Sequence, residues 1–286
     1  MEPDPTLKQI IKQDYGRFFM VRVQDLIKLS KLPVPPTRAT THTIIYLTSG
    51  VATMKIGFQQ TVIHQHECLV VPAGKVFSYD QYEVNTGFIC NFDNGFLVGK
   101  IGNNELLKDF EFLNVWGNPI IKPDLKTAGY LAHTFQRVLD EYAANGLVNS
   151  SIIQAYFIAA LCDLNTAYTP LSQSKNKTAI SLTNRFKALL HEHINSKHLV
   201  TEYAALLNVS PNHLNKTVKE ITNKTPSRWI DETLLTEAKV LLFQTNRPIS
   251  EVAAELGVYD PSYFSRLFKK YEGLTPLAFR RMIETS

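Results

Sequence analysis

The chain has 286 residues, of which 44% are apolar and 20% charged, with a formal net charge of +4 at pH 7. That length suits two domains, at roughly 100 to 200 residues each, and so small a net charge means that any nucleic-acid contact must come from basic residues gathered on one face. Cys68, Cys90 and Cys162 are odd in number, widely spaced and set among apolar residues, which predicts buried reduced thiols rather than a disulfide frame or a metal site. The opening MEPDPTLKQIIKQD lacks an apolar signal core and no apolar run is long enough to cross a bilayer, so the expected setting is cytoplasmic, without membrane contact.

After a mobile start, Phe18 to Val23 reads as a strand, and from Thr41 to Phe92 short apolar runs alternate with Gly, Pro and polar turns. The runs THTIIYLTSG, VATMKIGF, TVIHQHECLVVPAG, KVFSYD and VNTGFICNF are rich in the β-branched and aromatic residues of half-buried strands. Regular turns between them predict a small barrel or sandwich. The order Tyr46 to Gly50, Gly57, then Leu69 to Gly74 resembles a cupin-type β-barrel.

Metal-binding cupins hold an ion with histidines from their strands, so that resemblance raises an enzymatic reading. Here His64 and His66 form a pair just ahead of the Cys68 to Val71 strand, and Phe77 and Ser78 stand where a last histidine ligand is expected. Two histidines without a third ligand and a carboxylate make a poor metal site, so no metal and no cofactor is expected. Tyr46, Phe58, Phe77, Tyr79, Phe88 and Phe92 are candidates to line an apolar effector pocket, against the plainer role of filling the core.

From Asn103 the pattern becomes helical. Asp124 is placed to cap a helix whose stripe includes Leu131, Phe135, Val138 and Tyr142, with Asn145 and Gly146 ending it. Its partner, opened by Ser150 or Ser151, is apolar on more than one face, which suits burial against the barrel or across a homodimer. The polar TPLSQSKNKT reads as a linker. The predicted organisation is α+β: a cupin-like barrel with a helical hairpin over residues 1–168, a linker over 169–179 and an all-α domain over 180–286.

Within that last domain the chain repeats itself. Thr201 to Val209 (TEYAALLNV) matches Ser250 to Val258 (SEVAAELGV), and Ser210-Pro211 restarts the chain as Asp260-Pro261 does. Ser250 is a candidate cap for its helix, and Gly257 permits a tight turn that Asn208 replaces in the first copy. A polar side chain followed by proline is a helix-start signal, since the proline N–H would have been unpaired there anyway. In the helices that follow, Leu214, Val218 and Ile221, and Phe264, Leu267, Phe268 and Tyr271, recur as buried stripes. Each copy closes on a Thr-Pro pair, at Thr225-Pro226 and Thr275-Pro276, and a long helix, SRWIDETLLTEAKVLLFQT, joins the two. These are tandem helix-turn-helix units.

The string A-x-E-L-G, followed by S-Y-F-S-R-L-F-K-K-Y-x-G-L-T-P-x-x-F-R, here Ala253 to Arg280, resembles the signature of the AraC/XylS family of transcription regulators. Such regulators often carry a cupin-type barrel ahead of the DNA-binding domain and dimerise through helices beside it. The resemblance therefore implies double-stranded DNA, a small-molecule effector, a second copy of the chain and RNA polymerase as partners.

On the polar faces, Asn212, Asn215, Lys216 and Lys219 correspond to Ser262, Ser265, Arg266 and Lys269. Arg266 is suited to a bidentate pair with guanine, and Asn212 and Asn215 to adenine; Lys216 suits base or phosphate. Lys219, Lys269 and Lys270 suit phosphate, which positions without reading sequence. Ser262 and Ser265 suit either, and His213 suits phosphate or covers its turn. The rival readings are a metal-dependent cupin enzyme with an accessory DNA-binding domain, and a constitutive DNA-binding protein whose barrel only dimerises.

Overall fold

The apolar and aromatic runs of the first hundred residues form β1 (Phe18–Arg22), β2 (Val34–Arg38), β3 (His42–Ile56), β4 (Gln59–His64), β5 (Cys68–Val71), β6 (Val76–Tyr79) and β7 (Asn85–Phe92). This computed structural model describes residues 17–29, 34–79, 83–98, 109–114, 117–170 and 177–284. It divides into two units, 1–34 with 38–170, and 35–37 with 171–286. The mobile start, the onset of helix after Asn103 and residues 171–176 of the expected linker lie outside the described residues.

The N-terminal unit is built on β3. Thr43 to Tyr46 pair antiparallel with β5 on one side and β7 on the other, whereas Val51 to Ile56 pair with β4. A turn was expected at Gly50, yet the strand runs through it. The register against β7 shifts between Leu47 and Ser49, and Gly50 takes φ +83°, so the strand bends without stopping. A Cβ at Gly50 would lie 2.2 Å from the Val84 carbonyl oxygen, so the close approach of the two strands requires glycine. That bend carries the second half of β3 into a different sheet. The two sheets share β3, and among the described residues no strand pairing closes the expected cupin-like barrel.

Short helices α1 (Val23–Leu29) and α2 (Asn94–Val98) flank the strands, and β8 (Ile120–Ile121) pairs with β5. Two long helices then form the hairpin, α3 (Leu125–Asn145) and α4 (Ser150–Ala167). The Asp124 carboxylate accepts the Thr127 N–H at 2.7 Å, the expected cap. Leu131, Phe135 and Phe157 of the hairpin pack with Phe18, Tyr46 and Phe92 of the sheet in one apolar core. The opposite face buries Leu47, Ile56, Ile63 and Leu69. Cys68 and Cys90 are buried free thiols, whereas Cys162, also expected to be buried, is exposed on α4. Its position falls outside the stripe that α4 turns to the core, so neighbouring apolar residues did not imply burial.

His42 is buried where β3 starts. Its Nε2 lies 3.0 Å from Asn94 Oδ1, its Nδ1 accepts the Ala73 N–H at 3.2 Å, and its ring stacks on Phe92. Burial lowers its pKa below the ordinary 6.5 against weaker raising effects of Asn94 and Asp93. Below pH 6.5 the unfolded chain therefore takes up a proton that the folded chain refuses, and stability falls with pH until the lowered folded pKa is reached. Denaturant titrations at pH 8 and pH 5.5 should show a lower midpoint at pH 5.5, with a smaller difference in His42→Gln.

The second unit comprises α5 (Lys177–His193), α6 (Val200–Leu206), α7 (Pro211–Thr222), α8 (Pro226–Gln244), α9 (Ile249–Glu255), α10 (Pro261–Glu272) and α11 (Pro276–Glu284). Helix α5 starts at Lys177, inside the expected linker. Helix α8 touches α5 and α7 on one side of the repeat and α9, α10 and α11 on the other. No helix among the described residues is long and apolar enough to cross a membrane.

Candidate nucleic-acid interface

The two copies fold alike. From 210 to 228, every position has the same exposure as the position fifty residues later. Ser210 caps α7 by accepting the His213 N–H at 3.2 Å, and Asp260 caps α10 by accepting those of Ser262 and Tyr263 at 2.8 and 3.1 Å. Thr225 and Thr275 do the same for α8 and α11, through Arg228 and Ala278. Ser250 is not a cap: α9 starts one residue earlier, after Pro248, and has no side-chain cap. The Pro248 carbonyl already accepts the N–H groups of Glu251 and Val252, which leaves Ser250 inside the first turn.

Apolar side chains hold both helices down. Leu214 and Val218 of α7, and Phe264 and Phe268 of α10, are fully buried. The expected stripes end half-buried, at Ile221 and Tyr271. Tyr271 donates its hydroxyl to Asp231 of α8 at 2.8 Å; burial and this acidic neighbour push its phenol up to about 12, which keeps it a donor at neutral pH.

The opposite faces carry the expected polar residues. Asn212, His213, Lys216 and Lys219 on α7, and Ser262, Arg266, Lys269 and Lys270 on α10, are exposed, while Asn215 and Ser265 are half-buried beside them. Four cations elsewhere in the unit are paired with carboxylates. Lys224 and Arg228 reach Glu232 at 2.7 and 2.9 Å, Lys239 reaches Glu272 at 3.0 Å, and Arg247 pairs with Glu255. Lys216, Lys219, Arg266 and Lys269 are in no ion pair among the described residues. The four paired cations are neutralised, whereas the cations of the two polar faces are left to the solvent, which favours a polyanion there.

Two exposed aromatics escaped the sequence reading. Tyr263, 47% exposed, stands on α10 where His213 stands on α7, so the repeat itself could have pointed to it. Tyr259, 87% exposed, is an extra residue in the second turn with no counterpart in the first, and no spacing signal marks it.

The six aromatics considered for an effector pocket are divided between two faces of the N-terminal unit. Tyr46 is fully buried with its hydroxyl on the Ala128 carbonyl at 2.7 Å, and Phe88 and Phe92 pack on Phe135 and Phe157 in the same core. Phe77 packs against the opposite cluster, and Phe58 and Tyr79 are half-buried. His64 is exposed and His66 occupies a left-handed turn at φ 68°. No group of three His, Cys, Asp or Glu that could hold a metal ion occurs among the described residues.

Residues 203–282 match the helix-turn-helix domain family, the stretch that carries both polar helices. The chain is 25% identical over 154 residues to an uncharacterized HTH-type transcriptional regulator, YisR, of Bacillus subtilis (strain 168), covering 54% of this chain and 52% of that one. It is 23% identical over 164 residues to the arabinose operon regulatory protein of Salmonella typhimurium, covering 56% of each. It is also 22% identical over 245 residues to the raffinose operon transcriptional regulatory protein RafR of Pediococcus pentosaceus, covering 85% of each. The match spans about half the length of the first two. All three are named as regulators, two of them as transcriptional ones, rather than as enzymes.

Proposed function

We propose that this chain is a DNA-binding transcription regulator of the AraC/XylS type, which reads two successive major grooves with α7 and α10. The observation that carries this reading is the pair of matched helices whose exposed cations have no carboxylate partner. Helix α8 has 19 residues, which at about 1.5 Å each is roughly 28 Å of rise. Successive major grooves on one face of B-DNA recur at about 34 Å, so a scaffold of this length suits two heads on one side of a duplex. The likeness to operon regulators supports the same reading and lends nothing to the rival of a metal-dependent enzyme. Selection of bound duplexes from random DNA by the full chain tests it: two conserved half-sites are expected, and recovery of no common sequence would count against it.

The cations divide by role. Lys219, Lys269 and Lys270 neutralise phosphate, Arg266 with Asn212 and Asn215 reads base edges, Lys216, Ser262 and Ser265 meet base or phosphate, and His213 meets phosphate or covers its turn. Lys269→Ala should weaken binding to every duplex alike and lower the slope of log affinity against log salt by about one. A salt titration with an unchanged slope would remove Lys269 from the phosphate contacts.

Control belongs to the N-terminal unit in this proposal. Around Phe77, the side chains of Ala52, Met54 and Ile89 are only partly covered, and this is where a small apolar effector is placed, near Phe58 and Tyr79. Native mass spectrometry of the purified chain checks for a carried ligand. The exposed Ile152 and Tyr156 of α4 are the proposed contact with a second copy. An effector alters DNA binding only as far as its affinity differs between two arrangements of the units.

A further inference from the structure

The two turns of the repeat obey different demands. Asn208, in the first, has φ 54° and an exposed side chain, so that turn needs only a left-handed backbone, which asparagine supplies. Gly257, in the second, has φ +72°, and a Cβ there would lie 2.5 Å from the Asn195 carbonyl oxygen and 3.0 Å from His198 Cε1. The turn of the second head is seated on the loop between α5 and α6, in the first head. It has no room for a side chain.

The receiving loop is stiff. The His193 carbonyl accepts the N–H groups of Ser196 and Lys197, both at 2.9 Å. Tyr203, fully buried against Phe186, donates its hydroxyl to the Lys197 carbonyl at 2.8 Å. The Glu202 carboxylate accepts the N–H groups of His198 and Leu199 at 2.9 and 2.8 Å. His198 Nε2 is buried without a hydrogen-bond partner among the described residues, so packing against the turn, rather than polar pairing, holds that end of the ring.

We propose that the contact of Gly257 with Asn195 and His198 is a clamp that fixes the second head against the first, and so sets the half-site spacing the protein accepts. Helix α8 sets a separation and the second head packs on it through α9, α10 and α11; the stretch from Thr245 to Pro248, where no helix runs, is the pivot about which that packing would shift. The Tyr271–Asp231 bond and the Lys239–Glu272 pair hold the far end of α10 to α8, and the clamp holds the turn that precedes it. His198 and Gly257 act here as positioning residues, through the packing of one head on the other. One inserted base pair moves a half-site by about 3.4 Å and rotates it by about 35°, a displacement that a clamped pair of heads cannot follow. The inference rests on the two-groove reading.

The test uses the full chain and duplexes built from the selected half-sites at their selected spacing, or with one base pair inserted or removed. The unchanged chain should lose about tenfold or more in affinity on either change, equivalent to about 1.4 kcal/mol. His198→Ala, which opens a gap without touching the turn backbone, should bind the selected spacing less tightly. Its loss on changing the spacing should fall below about threefold, and isolated half-sites should be bound as before. Gly257→Ala should do the same where it folds. A folded His198→Ala protein with the unchanged spacing profile would overturn the clamp and leave two-groove reading intact. If the unchanged chain were itself indifferent to spacing and protected one half-site only, the two-groove reading would fall, and the clamp with it.

Discussion

Replacing Phe268 with alanine should melt the second helix-turn-helix while leaving the N-terminal unit folded. The ring is fully buried, with its centroid 6.1 Å from Phe264 and 5.5 Å from Phe279, so it joins α10 to α11 and closes the core beneath the polar face. Truncation of such a ring costs about 3 to 5 kcal/mol, through lost burial and the cavity that remains. A small domain is stable by only about 5 to 15 kcal/mol in total, so this one change removes a large share. Hydrogen exchange followed by segment should show lost protection across 249–284 and native protection across β3 and β7. Uniform native protection would mean that the packing described for α10 does not hold that helix. The exposed neighbours Lys269 and Lys270 provide the contrast: alanine there should leave protection unchanged, because neither side chain lies in the core.

The second large effect is expected at Arg266. Its guanidinium is exposed on α10 and in no ion pair among the described residues, so it is free to make a bidentate pair with guanine O6 and N7. Arg266→Ala should cost about 1 to 3 kcal/mol on the selected site and relax the preference at one base pair. Competition with a panel of singly altered duplexes reads both quantities. Equal weakening on the whole panel would assign the side chain to phosphate. Lys216, at the matching place on α7, lacks the fork geometry, so its alanine variant should change selectivity less.

Much of the C-terminal unit was legible because its signals are local. Asp260-Pro261, Ser210-Pro211 and the two Thr-Pro pairs act within four residues of themselves, and the apolar stripes need only the helical period. Asp124 was legible in the same way. Ser250 misled because a residue that can cap was read without its competitor: Pro248, two residues earlier, already holds the helix entrance.

The N-terminal unit was legible as strands but not in their assembly. Gly50 carries the same sequence signal in a turn as in a bend, and only the approach of β7 to within a Cβ of it decides for the bend. The aromatic set was divided for a related reason: once β3 belongs to two sheets, residues that looked equivalent along the chain face different cores. Tertiary pairings left still less trace. The i,i+4 spacing marks Arg228 as a partner of Glu232, but nothing local marks Lys224 as the other, and the left-handed turn that Asn208 and Gly257 share hides that only Gly257 meets a neighbouring backbone.

The central claim, two heads of one chain on one face of a duplex, is tested most directly by a methylation-protection footprint on the selected duplex. The account predicts two clusters of guanines protected at N7 in successive major grooves, about one helical turn apart, with protection under α10 weakened in Arg266→Ala at saturating protein and the cluster under α7 retained. A single uninterrupted cluster, or loss of both clusters together in that variant, would contradict it.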